Sequence, residues 1–512
     1  MKKGHFLFLA LGLFAVLWYA LFPALGFQLD DDCTAYLQMT DELVKGHWDK
    51  AFNSLWSPLN QWVLFPLVKW TRAWGWTTFY TAQVLNAIFG GLVLVETHLF
   101  LRKRNLTIQQ HGGFLLVLAP VLVYYAFLQT FGDLLQLLFV IPALHLLLQE
   151  DFVRQLRKWL LFAILMGVAS YAKSFNGPFF FVFIALFLLK LLLEKRVTKR
   201  EALLRLVLSY VVMGIVLMPA TLGYHAAYGS YTPFGFSGKL NMSWLVNGHK
   251  SFKDGITYLI PPAYDGAHSL WDDPMRIHGA LTTPFSSAYY FAKYVAKVML
   301  NVLTALRCLW ELNLFFLILA IVKLWRKKRE ALLEKGFWKS DVFFFSLTLL
   351  VLYVSVHIEA RYLLIVLIAA PILWSELLKK EHLARLYPWL LGACLLFPSI
   401  DTVERWHKNE VLFKEAAVLK AHHIEGRITS NAYKSGPSWV VAYLNDNAYY
   451  TLEKFDVSID DYLAELQRYH IQYFIDYKEA PHWQLLTMDM DAFQEVCSTK
   501  EFTVYKLKFT KP

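Results

Sequence analysis

The chain has 512 residues, of which 57% are hydrophobic and only 18% are charged. Soluble globular proteins carry about a quarter charged residues, so this composition excludes an ordinary soluble domain and indicates a polytopic membrane protein. The formal net charge is +10, but many Lys and Arg residues form short clusters between apolar runs. That distribution follows the positive-inside rule and argues against a nucleic-acid partner.

Apolar runs that are long enough to cross a bilayer, or nearly so, predict about eleven transmembrane helices. The first run has a basic start like a signal peptide, but no convincing small-residue cleavage site follows, so we interpret it as an uncleaved span. The predicted spans lie near residues 6–26, 79–101, 113–128, 134–149, 159–172, 178–194, 203–222, 309–325, 342–357, 362–378 and 388–400.

Basic clusters fall on every second connection between these runs, and those connections are predicted to be cytoplasmic. The N-terminus is then inside, and two long loops, 27–78 and 223–308, lie outside together with the C-terminal region. We expect a multi-pass protein of a bacterial inner membrane. The clusters comprise Lys2 and Lys3; Arg102, Lys103 and Arg104; Arg154, Arg157 and Lys158; Lys195, Arg196, Lys199 and Arg200; Arg326, Lys327, Lys328 and Arg329; and Lys379, Lys380 and Arg385.

The composition becomes ordinary and more charged after Pro398. We therefore predict an all-α membrane domain over 1–402 and a small extracytoplasmic α/β domain over 403–512. The segments RITSN, AYYTL, IQYFIDY and EFTVYKLKF read as strands, whereas VSIDDYLAELQRYH and AFQEVCST read as helical.

Three consecutive acids, Asp30, Asp31 and Asp32, follow the first span directly. They precede an amphipathic helix that is expected to begin at Asp32 or Thr34 and to end at Gly46. A carboxylate crowded by two others has a raised pKa, which suits a general base, and we place that role on Asp31 or Asp32. The alternative is a solvated acidic run that caps the helix.

The rest of the first loop, SLWSPLNQWVLFPLVKWTRAWGW, is rich in Trp and Pro. We predict a second helix that lies in the membrane interface, with a span and a short return as the alternative. In the second loop, residues 289–306 are predicted to be helical, and the remainder resembles a functional lid rather than a plain connection.

A second group of candidates lies in short outer turns. Arg361 suits bidentate phosphate binding, with Glu359 orienting it and His357 beside it. Lys173 ends a span without basic neighbours, which predicts a second phosphate contact. The alternatives are a Glu–Arg pair that fixes the turn and a lysine that snorkels to the interface. Asp133 is interpreted as structural.

Titratable residues also lie among the aromatic residues of the second loop. Asp265, His268, Asp272 and Asp273 could bind a sugar or could be ordinary loop residues. The cysteines are scattered and form no metal-ligand pattern, so no metal site is predicted.

Two of these cysteines, Cys33 and Cys497, could pair outside the membrane, but we expect unpaired thiols.

Three segments together resemble the GT-C glycosyltransferases. DDDCTAYLQMTDELVKGHW resembles their first extracytoplasmic loop, SPLNQWVLFPLVKW their interfacial helix, and EARYLLIVLIAAP their late E-x-R-Y-L-L segment. The general form is similar to bacterial aminoarabinose transferases and protein O-mannosyltransferases. The acidic pair is D-D here, whereas the family usually has D-E.

The resemblance implies a sugar donor linked to polyprenyl phosphate. Arg361 and Lys173, with Glu359 and His357, would then hold the phosphate, and Asp31 or Asp32 would deprotonate an acceptor hydroxyl, which attacks with inversion. The acceptor would be a lipid, a polysaccharide or a protein.

Asp265, His268 and Tyr36 are the expected contacts to sugar or acceptor. A metal is not implied, although the acidic cluster could bind one.

Two other classes also fit a polytopic chain. A transporter or lipid flippase would show charged or broken helices at mid-bilayer and paired repeats, whereas here the polar groups gather at one face. A polymerase or ligase acting on polyprenyl-linked sugars usually has basic key groups in a large periplasmic loop, so the acidic first loop counts against it.

Overall fold

The computed structural model describes residues 3–104, 106–128, 131–248, 252–311, 340–378, 387–432, 436–453, 459–478 and 492–508. Helices make up most of these ranges before residue 405. In chain order they are α1 Lys3–Leu25, α2 Asp31–Lys45, α3 Leu59–Thr71, α4 Thr78–Arg102, α5 Ile108–Phe127, α6 Phe131–Leu147, α7 Leu156–Ala172, α8 Asn176–Leu193, α9 Lys199–Tyr228, α10 Ser237–Asn247, α11 Ala288–Glu311, α12 Asp341–Val356, α13 Leu364–Leu378 and α14 Tyr387–Glu404.

Five of the described helices, α1, α4, α5, α8 and α9, are long and apolar enough to cross a membrane. The expected number of eleven spans is therefore not confirmed. The run predicted at 309–325 lies largely outside the described residues, as do the clusters at 326–329 and 379–385. Each of the other predicted runs corresponds to a helix, but several of these helices are shorter than a full span.

Close helix contacts assemble the apolar helices around α5. α1 packs along α5, and α4 packs against both. A Cβ atom at Gly112 of α5 would lie 2.4 Å from ring carbons of Phe6 in α1. Only glycine therefore permits this approach, which brings the end of α1, and the loop that follows it, next to the end of α5.

The amphipathic helix of the first loop, α2, has clear signals at both ends. Asp30 is the N-cap, and its Oδ1 accepts a hydrogen bond from the Cys33 backbone N–H at 2.9 Å. Gly46 ends the helix at φ 94°, a left-handed conformation that favours glycine, and its N–H bonds back to the last turn. The predicted helix and its end at Gly46 are confirmed, but the expected caps Asp32 and Thr34 are wrong, because Asp30 caps the helix.

The second helix of the first loop, α3, follows Pro58 and packs against α2. Asp41 of α2 fixes this arrangement, because its Oδ1 accepts hydrogen bonds from Arg72 at 2.5 Å and from Thr78 at 2.6 Å. The first loop is thus an ordered pair of helices.

Helices and short strands alternate after α14: α15 Glu410–Ala421, β2 Arg427–Ser430, α16 Gly436–Leu444, β3 Ala448–Tyr449, β4 Thr451–Leu452, α17 Ile459–Arg468, β5 Tyr473–Tyr477, β6 Phe493–Ser498 and β7 Phe502–Leu507. Five strands form a sheet in the order β3-β2-β5-β7-β6. β2 is parallel to β3 and β5, whereas β7 is antiparallel to β5 and β6. The division at residue 402 remains a prediction.

The helical prediction for AFQEVCST is wrong, since Phe493–Ser498 is the strand β6. β6 pairs with β7 antiparallel, with an irregularity between Glu495 and Cys497. Backbone pairing at the sheet edge overrides the weak local preference of such a short segment.

The C-terminal sheet region contacts the second loop directly. Strand β1, Leu259–Ile260, lies in that loop and pairs antiparallel with β4. Nearby, Glu465 of α17 accepts hydrogen bonds from Thr257 Oγ1 at 2.8 Å and from the Leu259 N–H at 3.0 Å. The pairing holds the loop over the first-loop helices. The predicted helix within this loop is confirmed as α11, whereas α10 was not expected.

Candidate active site

The acidic residues of the first loop lie at the N-terminus of α2. Asp30 caps the helix, and Asp31 and Asp32 occupy its first turn. The helix dipole stabilises negative charge at this end, which explains why three acids are tolerated together. All three carboxylates line a cavity of about 440 Å³. The cavity lies between the start of α2, the ends of α5 and α14, helix α11 and the turn that joins α12 to α13.

Arg361 faces the acidic trio across this cavity. One guanidinium nitrogen, Nη2, lies 3.6 Å from Asp32 Oδ2. The same side chain is held by Glu359, whose Oε2 is 2.6 Å from Nε and whose Oε1 accepts from Nη2 at 3.1 Å. His357 lies 2.8 Å from Glu359 Oε1. Glu359 therefore both fixes the turn and orients the arginine, so the two interpretations of this pair are compatible.

Lys173 and Asp133 form an ion pair behind Arg361. The carboxylate of Asp133 is 4% exposed and binds the Lys173 ammonium group. Its other oxygen lies 3.7 Å from Arg361 Nε. The Lys173 ammonium also lies 3.6 Å from the ring centroid of Tyr362. Asp133, which was interpreted as structural, thus lies within the candidate site, where its carboxylate contacts both cations.

A tryptophan of the second loop closes one side of the site. Trp271 Nε1 donates a hydrogen bond to Asp32 Oδ1 at 3.1 Å. Its ring stacks on Trp244 and Trp439, with centroid distances of 5.3 and 5.9 Å. Trp439 belongs to α16 of the C-terminal region, so three separate parts of the chain hold this ring over Asp32.

Tyr36, one of the predicted sugar contacts, lies near this site. It is partly buried on α2, and its ring centroid is 5.2 Å from that of Trp56. His268 is buried elsewhere, where Nδ1 lies 3.0 Å from the carbonyl oxygen of Asn447. Asp265 is exposed and does not line the cavity described above. The structure thus brings Tyr36 towards the acidic trio but keeps His268 and Asp265 apart from it.

The two other acids of the second loop organise the loop itself. Asp272 Oδ2 accepts from the backbone N–H groups of His268 and Ser269 at 2.7 and 3.1 Å. Asp273 Oδ2 accepts from Tyr228 at 2.6 Å and from Arg276 at 2.7 Å. These bonds shape the segment that carries Trp271.

The charged groups of the site are of two kinds: acids whose pKa is raised, and groups that stay charged near neutral pH. Burial, together with the charges of Asp32 and Asp31, raises the pKa of Asp30 to about 7. Burial and the neighbouring Asp32 raise the pKa of Asp31 to about 6. Burial also raises the pKa of Asp32, although Arg361 and the Trp271 hydrogen bond oppose this. Such raised values suit groups that take up a proton near neutral pH.

Glu359 and Arg361 keep their charges. Burial opposes the ionisation of Glu359, but the His357 hydrogen bond and the Arg361 charge lower its pKa to about 2. Burial acts against the charge of Arg361 as well, and the nearby Tyr362, Glu359 and Asp133 hold its pKa above the ordinary value. A permanent cation therefore faces a cluster of titratable carboxyl groups.

The sequence alone did not indicate four further polar residues that line the cavity. Tyr124, at the end of α5, donates to Asp401, and Asp401 Oδ2 also accepts from Arg405 Nε at 2.5 Å. Arg307 lies on α11. The spacing of Asp401 and Arg405 by four residues was a usable signal for an ion pair, but nothing in the sequence linked it to Asp30.

The described part of the chain contains no set of three or more His, Cys, Asp or Glu side chains placed to hold a metal ion. Cys33 and Cys497 are both buried and unpaired, as expected.

Comparison with known proteins gives a likeness to a solved structure. No model of a protein family matches the chain, and no curated protein matches its sequence. The chain is similar to the crystal structure of the Archaeoglobus fulgidus oligosaccharyltransferase in the apo form, with a TM-score of 0.49 and 11% sequence identity. The match covers 93% of this chain and 69% of the archaeal chain. We therefore derive the chemistry of the site from its side chains.

Proposed function

We propose that this protein is an integral membrane glycosyltransferase. It transfers a sugar from a polyprenyl-phosphate donor to an acceptor hydroxyl on the extracytoplasmic side, with inversion. One observation carries this proposal: the titratable carboxylates at the start of α2 and the permanently charged Arg361 share one cavity, with 3.6 Å between Asp32 and Arg361. Such a site offers a base for the incoming hydroxyl and a cation for the departing phosphate.

Asp31 is the better candidate for the base. Asp32 already accepts from Trp271 on one oxygen and faces Arg361 with the other. Asp31 forms no ion pair with any residue that the structure describes, and its pKa is raised to about 6. At neutral pH it is mostly ionised and retains enough proton affinity to take a proton from a hydroxyl group.

The reaction follows from these positions. Asp31 removes the acceptor proton as the acceptor oxygen bonds to the anomeric carbon. The bond from that carbon to the phosphate oxygen breaks, and its electron pair remains on the phosphate. Arg361 binds the growing negative charge in a bidentate manner. Glu359 positions Arg361. Lys173 pairs with Asp133, the carboxylate that also lies beside Arg361, and so adds positive charge on the same side of the site.

The acidic trio constrains how the anionic donor enters. A phosphate that approaches Arg361 comes close to Asp32, and two negative charges at this separation repel each other. Partial protonation of Asp30, with its pKa of about 7, reduces the net negative charge of the cavity. Asp265 and His268 remain proposed sugar contacts for a large acceptor that extends along the second loop, and Tyr36 remains a proposed contact for a small one.

The test is sugar transfer from radiolabelled polyprenyl-phosphate sugars in membranes that contain the full chain. We expect Asp31→Asn to reduce transfer by at least a hundred-fold, the usual range for loss of a general base. Asp49→Asn is the matched control, because Asp49 is in the same loop and its side chain is 68% exposed. Protein amounts must be equal, since a change near a helix cap costs about 1 kcal/mol.

One result would overturn the proposed function, and another would move the role of the base to a different residue. If the wild-type protein transfers no sugar from several donor pools but moves a labelled lipid or solute across the bilayer, the chain is a transporter or flippase. If transfer occurs and Asp31→Asn leaves it unchanged while Asp32→Asn abolishes it, the enzyme class stands and the base is Asp32.

A further inference from the structure

A second cavity lies at the opposite end of α4 from the acidic trio. α4 has 25 residues, so its two ends are separated by roughly 37 Å. The cavity has a volume of about 440 Å³ and is formed by the last part of α4 together with α6 and α7. We call it the α4–α6–α7 crevice. None of its lining residues belongs to the candidate active site.

The walls of the crevice are mainly apolar. Leu99 of α4 and Leu161 of α7 are 39% and 45% exposed, and both line the crevice. Leu165 lies one turn after Leu161, and Pro142 contributes from α6. A groove with such walls between apolar helices is complementary to an acyl chain.

Two cations stand at one end of this apolar groove. Arg102 is the last residue of α4, and Lys103 is its C-cap. Both side chains are exposed and line the crevice. Lys103 follows Glu96, Leu99 and Phe100 at spacings of seven, four and three residues, which places all four on one face of the helix. The helix thus presents an apolar stripe that ends in positive charge.

Glu96 does not cancel this charge. It precedes Lys103 by seven residues, so it lies roughly 10 Å further along the helix towards its middle. A lipid phosphate at the level of Lys103 would therefore lie roughly 10 Å from the level of the Glu96 carboxyl group. His145 of α6 also lines the crevice.

We propose that the α4–α6–α7 crevice binds an anionic phospholipid of the leaflet at this end of α4. The lipid phosphate contacts Arg102 and Lys103, and one acyl chain lies along Leu99, Leu161 and Leu165. Basic residues beside a membrane helix attract anionic headgroups, and a crevice between helices adds shape selection to this attraction. The site is independent of the proposed transferase activity.

The experiment is native mass spectrometry of the intact chain, purified in detergent and mixed with equal amounts of phosphatidylglycerol and phosphatidylcholine. We expect the wild-type protein to retain phosphatidylglycerol preferentially. In the double variant Arg102→Gln, Lys103→Gln, the preference for phosphatidylglycerol should fall roughly thirty-fold, the effect expected from the loss of two basic residues at a lipid headgroup. The double variant Arg154→Gln, Arg157→Gln is the matched control, because both arginines are exposed outside the crevice.

A second variant separates shape from charge. Leu165→Trp fills the crevice without changing its charge, and it should weaken phosphatidylglycerol binding while the melting temperature in detergent shows that the protein is folded. Equal retention of the two lipids by the wild type, or equal loss in the control variant, would overturn the proposal. It would also fail if polyprenyl phosphate displaced phosphatidylglycerol at equal concentration, because the crevice would then select the donor lipid.

Discussion

The carboxylate of Asp32 lies 3.6 Å from the guanidinium group of Arg361, so the loop after α1 meets the turn before α13. Trp271 completes this contact from the second loop by donating to the other oxygen of Asp32. Three distant parts of the sequence therefore build one site. Each of them positions a different chemical group: a carboxylate, a guanidinium and an indole.

Arg361→Lys should reduce sugar transfer nearly as much as Arg361→Ala. A lysine keeps the positive charge but loses the planar pair of donors that binds a phosphate and Glu359 together. We expect a loss of at least ten-fold in kcat, measured in membranes with equal protein amounts. Arg468→Lys is the control, since Arg468 lies on α17 and pairs with Glu465. Full activity of Arg361→Lys would show that charge alone is sufficient.

The rate of transfer should depend on the ionisation of Asp31. Its pKa is raised to about 6, so kcat/KM should fall as the pH drops through this value. The measurement is the pH profile of transfer between pH 5 and 8. A profile that is flat over this range would contradict the role of Asp31.

Asp30→Asn should stabilise the protein at high pH. Asn is as good an N-cap as Asp, so the bond to the Cys33 N–H is retained. The folded-state pKa of Asp30 is about 7, above its ordinary value of 3.8, so ionisation of Asp30 disfavours the folded state as the pH rises between these values. The variant should melt a few degrees higher than the wild type at pH 8 and at the same temperature near pH 4.

Asp49→Asn provides the contrast for this measurement. Lys50 lowers the pKa of Asp49, so loss of its charge should bring no gain at pH 8. Similar stabilisation by the two variants would mean that the effect comes from the overall charge and not from the crowded trio.

Asp133→Asn should destabilise the protein strongly. The change leaves Lys173 and Arg361 in a buried site without the carboxylate that contacts both. Breaking a buried ion pair by removing one partner costs about 3–5 kcal/mol. Thermal unfolding in detergent measures the loss. The double variant Asp133→Leu, Lys173→Met should recover most of it, because no unpaired lysine remains. A double variant no more stable than Asp133→Asn would refute this account.

Trp271→Phe should lower kcat more than it raises KM. The substitution keeps an aromatic ring between Trp244 and Trp439 but removes the N–H that donates to Asp32. A hydrogen bond to a charged group contributes about 1.5–3 kcal/mol to stability, so its loss should allow Asp32 to shift from its position beside Arg361. Trp244→Phe is the matched control within the same stack. Equal effects of the two substitutions would assign Trp271 a packing role only.

Local patterns were sufficient for much of the fold. The apolar runs predicted most of the helices that the structure describes before residue 405, and Gly46 marked the end of α2, whereas its N-cap is Asp30 and not Asp32 or Thr34. The prediction failed at Phe493–Ser498, where pairing with β7 decides the conformation. Helix signals lie within the helix itself, whereas the conformation of an edge strand depends on pairing with another segment.

By itself, the sequence determined that the chain is a helical membrane protein with an acidic cluster after its first helix, because hydrophobicity and capping act over a few neighbouring residues. It also identified Arg361, Glu359 and Lys173 as unusual charges. Only the tertiary structure decided which charges meet. Coulomb attraction and burial act through space, so the contact of Arg361 with Asp32, and the pairing of Lys173 with Asp133, follow from helix packing rather than from any local pattern.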